Sequence, residues 1–176
     1  KFKIIFNNRN FGAGHSRNQA ISLAQGEYLI FLDDDDIYHP DMLEKAYYAA
    51  KLCDADILVF RSYGKSLQTQ DISPVSWSVR DDLLPETKVF SIKDIKNNIF
   101  HCFVWWAWDK MIRRKTIVDS GLQFQEIRTT NDLFFVVAIF LYAQRIAKIN
   151  DTLITHIFDR TNSLSNTREQ SFECAI

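Results

Sequence analysis

Four consecutive aspartates, Asp33 to Asp36, follow directly on the apolar run YLIFL. Adjacent carboxylates repel one another, and the repulsion is relieved when a hard divalent cation such as Mg²⁺ or Mn²⁺ takes their oxygens and fills its remaining positions with water and substrate phosphates. The apolar run reads as a strand buried on both faces, and a helix start follows the aspartates. The four acids therefore fall outside the carboxyl end of a strand, where open α/β sheets bind ligands. The plainer reading is a solvated acidic turn that caps the next helix. His15, His39 and His101 lack metal-ligand spacing and read as ordinary helix-end or surface residues.

Positioning such a corner requires a sheet. Residues 2–6 (FKIIF) read as a short strand, and the polar, glycine-containing loop 7–14 leads into a helix at about 15–25, stopped by Gly26. After the strand at 28–32, HPDMLEKAYYAAKL has Pro40 near its first turn, with Asp41 and Glu44 at the favourable end of the dipole, and predicts a helix. DADILVFRSYG at 54–64 restores a strand. This alternation predicts an α/β fold with a mostly parallel sheet flanked by helices. Periodicity fades over 65–90, a long surface excursion of the kind that often carries function. IKDIKNNIF is a weak helix, HCFVWWAWDKMIRR a dense aromatic segment, NDLFFVVAIFLYAQRI a buried helix apolar most of the way round, and AKINDTLITHIFDRTNSLS one or two strands with a polar tail.

Composition bounds the rest. With 176 residues, 47% hydrophobic and 14% aromatic, the chain predicts one packed domain over 1–176. A formal net charge of −1 gives no global attraction to nucleic acid or an anionic membrane. Three cysteines, Cys53, Cys102 and Cys174, without CxxC spacing, argue against a disulfide framework and a zinc site and fit a reducing cytoplasm. The longest apolar stretch, 134–143, is too short to span a bilayer. Lys1 in place of Met, ahead of a strand-like opening, predicts that a longer protein has lost its beginning.

The motifs resemble the family 2 inverting glycosyltransferases of the GT-A fold. N-F-G-A-G-H-S-R-N at 10–18 is similar to that family's N-x-G-x-x-x-A-R-N, and A-Q-G-E-Y-L-I-F-L-D-D-D-D at 24–36, with Pro40, is similar to its A-x-G-x-Y-[ILV]-x-F-L-D-x-D-D. WDKMIRR at 108–114, ND at 131–132 and HIFDRTNSLS at 156–165 extend the resemblance over nearly the whole chain.

The resemblance implies a metal-dependent hexosyltransferase that uses Mn²⁺ or Mg²⁺ and a nucleotide-diphospho-sugar donor, with UDP the common nucleotide. Its acceptor would be a glycan or lipid-linked saccharide, and its setting surface polysaccharide biosynthesis. Residues 1–64 would be the remainder of the nucleotide and metal half and 65–176 the acceptor half. Asp33 and Asp35 would hold the metal, Asp33 also lying near the donor ribose, with Asp36 supporting them. Arg17 and Asn18 would contact the donor or pin the loop, Arg17 forking onto a phosphate or the aspartates. His156 and Arg160 would close over the diphosphate. Asp132 would be the base that takes the acceptor proton, the alternative being a helix-start acid. Asn131 stands where the family has Glu. Trp105, Trp106 and Trp108 would stack on acceptor sugar, at least one of them packing in the core instead.

The family's first strands, which recognise the nucleotide, are absent from this sequence, which predicts open sheet edges and self-association. Two other readings stand beside it: an inactive fragment or glycan-binding module, and a phosphohydrolase of the haloacid dehalogenase type, which YLIFLDDDDI approaches without that superfamily's later Ser/Thr, Lys and acidic pair.

Overall fold

The computed structural model describes residues 2–96, 98–160 and 164. Its centre is a pair of long strands, β3 (Ile57–Ser66) and β7 (Ile146–Phe158), running parallel over most of their length. Both faces of β3 are buried because its residues alternate between two cores: Ile57 and Val59 point into one, Leu58 and Phe60 into the other. Phe60 is fully buried, so truncating it to Ala costs about 3–5 kcal/mol.

Around this pair the sheet runs β1 (Tyr28–Ile30), β6 (Lys110–Arg113), β3, β7, β2 (Ile37–Tyr38), with β4 (Ile72–Pro74) on β3 and β5 (Val89–Phe90) on β7. Every pairing except β3 with β7 is antiparallel. The sheet is therefore mixed rather than mostly parallel. The reason lies in β6, which reverses direction between β1 and β3, so the crossover implied by helix–strand alternation does not place β1 beside β3. β1 is a three-residue, partly exposed strand whose outer edge has no partner among the described residues. Residues 2–6 are not a strand. No ladder partner runs beside them among the described residues, and Phe2 and Phe6 are exposed.

The helices pack on both faces. α2 (Met42–Leu52) buries Met42, Ala46 and Ala50, a stripe at four-residue spacing, against one core. α1 (Ala13–Leu23), α3 (Ile99–Cys102), α4 (Arg114–Ser120) and α5 (Leu133–Tyr142) lie by the other. α5 buries Phe135, Val136, Ile139 and Phe140 but leaves Phe134 and Leu141 exposed, so it is a half-buried helix despite being apolar all round. The excursion at 65–90 is stitched down: Arg61 donates to the Val79 carbonyl at 2.7 Å, the Val104 amide to Ser78 at 3.1 Å and the Arg80 amide to Cys102 at 3.0 Å. It is thereby fixed to the segment that leads into the tryptophans.

Candidate active site

The chain leaves β1 through Phe31 and Leu32 and turns at the four aspartates before β2. Within that turn, carboxylate oxygens of Asp33, Asp35 and Asp36 lie within 4.8 Å of one another. Each of the three acids meets a different basic side chain. Arg17 Nη2 donates to Asp33 at 2.6 Å, Arg160 Nη1 to Asp35 at 2.8 Å, and His156 Nδ1 lies 2.9 Å from Asp36. The Asp36 side chain has no exposed surface; one oxygen also accepts from the Ile157 amide at 3.0 Å, while the other is buried with no hydrogen-bond partner among the described residues. Tyr38 donates its hydroxyl to the Asp33 carbonyl and fixes the turn. Burial pushes the Asp33 carboxyl above its ordinary range and the charges of Asp36 and Asp35 add to this, while Arg17 opposes it. For His156, burial favours the neutral ring, but the hydrogen bond to Asp36 and the charges of Asp36, Asp33 and Asp35 outweigh it, and its pKa moves up.

Arg17 joins this corner to the segment that carries Asp132. Its second nitrogen, Nη1, donates to Asn131 Oδ1 at 2.7 Å, so one guanidinium spans the acids and the loop before α5. The contact on this side is thus the neutral amide oxygen of Asn131. Asp132 sits at the start of α5 without accepting a capping hydrogen bond from its backbone, and it faces the same cleft as the aspartates. Burial raises its pKa first; Arg17 pulls it down and the negative charge of Asp33 raises it again. Asn18 lies elsewhere. Its amide clamps the backbone of Phe124, donating to the carbonyl at 2.9 Å and accepting from the amide at 2.8 Å, and so it holds α1 onto the loop.

The glycines of N-F-G-A-G have distinct uses. Gly12 starts α1 at φ 87°, a conformation that favours glycine. Gly14 lets α1 touch the chain at Gln125, where an added Cβ would stand 2.1 Å from the carbonyl oxygen. That close approach brings Arg17 and Asn18 to their partners.

The tryptophan segment forms the opposite wall. Trp106 and Trp108 stack with centroids 4.6 Å apart, and Trp108 stacks on His156 at 5.2 Å, so the aromatic wall ends at the acid corner. Trp105 and Trp106 are partly exposed, whereas Trp108 is 3% exposed and belongs to a core. The wall is held from behind by Lys110. Its side chain has no exposed surface and donates to the carbonyls of Val104 at 2.9 Å and Trp106 at 2.7 Å and to the buried carboxylate of Asp109. Burial lifts the Asp109 carboxyl to about 6, against the pull of Lys110. The sequence reading missed both residues, since a Lys after an Asp looks like an exposed pair; the signal was the run of tryptophans around them, which marks a buried segment.

Together these segments enclose a cleft of about 660 Å³ whose lining includes Arg17, Asp33, Asp35, Asp132, His156 and Arg160, with Trp105, Trp106 and Trp108. The cleft therefore brings together the sequence-predicted site residues except Asn18 and Asp36, the latter with no exposed side-chain surface. The end of the motif at 156–165, including Asn162, Ser163 and Ser165, lies outside the described residues, as does Cys174. No helix among the described residues is long and apolar enough to cross a membrane.

An uncharacterized glycosyltransferase of Methanocaldococcus jannaschii is 48% identical over 172 residues, covering 96% of this chain and 56% of the relative. A cholesterol galactosyltransferase of Borreliella burgdorferi is 29% identical over 179 residues, covering 94% of this chain and 47% of the relative. The crystal structure of S. aureus TarS 1-349 in complex with UDP-GlcNAc superposes with a TM-score of 0.70 at 20% identity, over 91% of this chain and 43% of that one, and so shares the GT-A fold. The chain spans about half the length of the curated relatives it matches. Residues 1–116 match the family model described as Glycosyl transferase family 2, and this chain, with its acid corner at the end of β1 and its arginine bridge to the loop before α5, belongs to that family.

Proposed function

We propose that this chain forms the catalytic core, a single domain over 1–176, of an inverting glycosyltransferase that moves a hexosyl group from a UDP-sugar to a saccharide acceptor in surface polysaccharide synthesis. The observation that carries the reading is that Asp33 and Asp35 of the clustered acids and the half-buried carboxylate of Asp132, its pKa raised, open onto one cleft, with Arg17 bonded to Asp33 and to Asn131 beside Asp132. Residues 1–64 supply the nucleotide and metal side and 65–176 the acceptor side. The TarS structure in complex with UDP-GlcNAc and the galactosyltransferase relative support a nucleotide-sugar donor.

The residues of the corner fit a divalent cation: Asp33 and Asp35 would hold it with Asp36, one of whose oxygens is buried without a hydrogen-bond partner among the described residues. Bound Mn²⁺ or Mg²⁺ supplies positive charge against the diphosphate leaving group. Arg17 and Arg160 present guanidinium forks at the same place, and His156, whose pKa is raised, lies beside them, so the chain's own side chains meet charge that gathers on the departing phosphate oxygens. On the other side, Asp132 accepts the proton of the acceptor hydroxyl as that oxygen bonds to the anomeric carbon. The bond from that carbon to the diphosphate breaks, and the electron pair leaves with the phosphate. Burial suits Asp132 to this task, because a carboxylate with a raised pKa is a stronger base. Trp105 and Trp106 offer exposed ring surface to the acceptor, while Trp108 supports them and His156. Asn18 positions α1.

The test is to incubate the complete protein with a panel of nucleotide sugars, Mn²⁺ and saccharide acceptors and to read the product linkage by NMR. Transfer with an inverted anomeric centre is the expected result. Donor binding without transfer in any combination would favour the glycan-binding reading, and phosphate release without a sugar nucleotide would restore the phosphohydrolase.

A further inference from the structure

We propose that the excursion between β3 and β5 builds an outer saccharide subsite around Trp77, which binds a sugar residue of an extended acceptor distal to the one that receives the transferred hexose. The inference rests on the acceptor reading of the tryptophan wall and extends it to a part of the chain that this reading left without a role.

Trp77 stands on a 3₁₀ turn at Ser76–Ser78 and is 59% exposed, the largest such exposure of any described tryptophan. Leaving an indole in water forfeits favourable burial, so a fixed, exposed indole invites a flat apolar partner. It is fixed: Ser78, its neighbour, is fully buried, donates its hydroxyl to the Val75 carbonyl at 2.9 Å and accepts from the Val104 amide through its own carbonyl at 3.1 Å. The ring is also continuous with the wall of the cleft. Trp77 meets Trp106 edge to face at 5.1 Å, Trp106 stacks on Trp108 and Trp108 on His156, which gives one aromatic row from the carboxylate corner to the outer surface.

Beside Trp77 a groove of about 560 Å³ is lined by Arg61, Arg80, Asp81 and Asp82. These groups are locked in place. Arg80 makes a two-pronged contact with Asp82 at 2.9 and 2.7 Å, and Asp81 is held by Arg61 and Lys148. An indole face flanked by rigid, planar hydrogen-bonding groups suits a pyranose, whose apolar C–H face stacks while its equatorial hydroxyls meet carboxylate and guanidinium. A saccharide chain entering along this groove would reach Trp106 and then Asp132 in the cleft.

The experiment labels the complete protein with 5-fluorotryptophan and follows ¹⁹F NMR during titration with methyl glycosides of mono-, di-, tri- and tetrasaccharides in glucose, galactose and N-acetylglucosamine series. The Trp77 signal is assigned with W77F. Short members should move the Trp105 or Trp106 signals, and longer members should move Trp77 as well and bind more tightly. Trp77→Ala should then weaken the longer ligands about tenfold and leave the shortest unchanged. Longer ligands that move Trp105 or Trp106 but leave Trp77 still would overturn the outer subsite and preserve the inner one. Ligands that move none of the three would overturn both. Because Trp77 is exposed, its truncation leaves the core intact, and unchanged donor binding by the variant checks this.

Discussion

At the scale of the residue, the site is defined by what burial does to two carboxylates and what Arg17 does to both. Asp33 and Asp132 are each lifted by desolvation and each restrained by the same guanidinium, so they are electrostatically linked across the cleft. A base must be ionised to accept a proton. With its pKa raised, Asp132 as the proposed base would lose activity as pH falls through a value above the ordinary 3.8 of an aspartate. The acid limb of kcat/KM in the complete protein should therefore lie higher than an exposed aspartate would place it, and Asp132→Asn should lower kcat by about 10²–10⁴ while donor affinity stays. A variant that retains transfer and the same acid limb would remove Asp132 from the chemistry. That Asp33, Asp35 and Asp132 would meet in one cleft was legible from the sequence, because their types and places resemble those of a known motif. The Arg17 link to Asn131 was not, since it joins residues 114 positions apart through a loop with no periodic signal.

At the scale of the element, the two walls of the cleft depend on contacts that tolerate little. Lys110 and Asp109 form a fully buried ion pair, and its removal from one side leaves a charge without its partner in a low-dielectric setting. Lys110→Met should cost about 3–5 kcal/mol in urea unfolding, whereas the double change Lys110→Met with Asp109→Leu should recover much of that loss. The Asp109 pKa of about 6 exceeds the 3.8 to which it returns on unfolding, so the native state binds the proton more tightly. Stability from this group is fully present below pH 3.8 and declines as pH rises to about 6, beyond which it is flat. On the opposite wall, Gly14→Ala puts a methyl 2.1 Å from a backbone oxygen that has no rotamer to yield, and α1 must move. The change should cost about 1–3 kcal/mol of stability and loosen Arg17 from Asn131, seen as a lower melting temperature together with weaker donor binding. Helices α1, α2 and α5 and the long strand β3 were readable from pattern, because burial at β3 and α2 follows the two periods, whereas α4 was not. The direction of β6 and the edge position of β1 were not, because pairing partners lie far apart in sequence and local propensity is the same for either direction.

At the scale of the whole molecule, the cleft is assembled from five stretches that meet only after the sheet closes: the start of α1, the turn before β2, the segment ahead of β6, the loop before α5 and the end of β7. Its charges are already balanced in a definite way, since Arg17, Arg160 and His156 each hold one acid. A divalent cation entering the corner must compete with Arg160 for Asp35 and with His156 for Asp36, which weakens its binding on its own. A nucleoside diphosphate changes that balance, because its phosphates give the displaced cations new partners. The two ligands should therefore bind with positive coupling, UDP raising the affinity for Mn²⁺ by a factor of about 5–150 and Mn²⁺ raising the affinity for UDP by the same factor, as linkage requires. Electron paramagnetic resonance of free Mn²⁺, titrated with and without UDP, measures the first arm and calorimetry the second. Arg160→Ala removes the competitor for Asp35 and should tighten Mn²⁺ alone while reducing the coupling. Equal Mn²⁺ affinities with and without UDP in the complete protein would mean that the corner does not hold metal and diphosphate together, and the three cations would then have to serve the leaving group unaided.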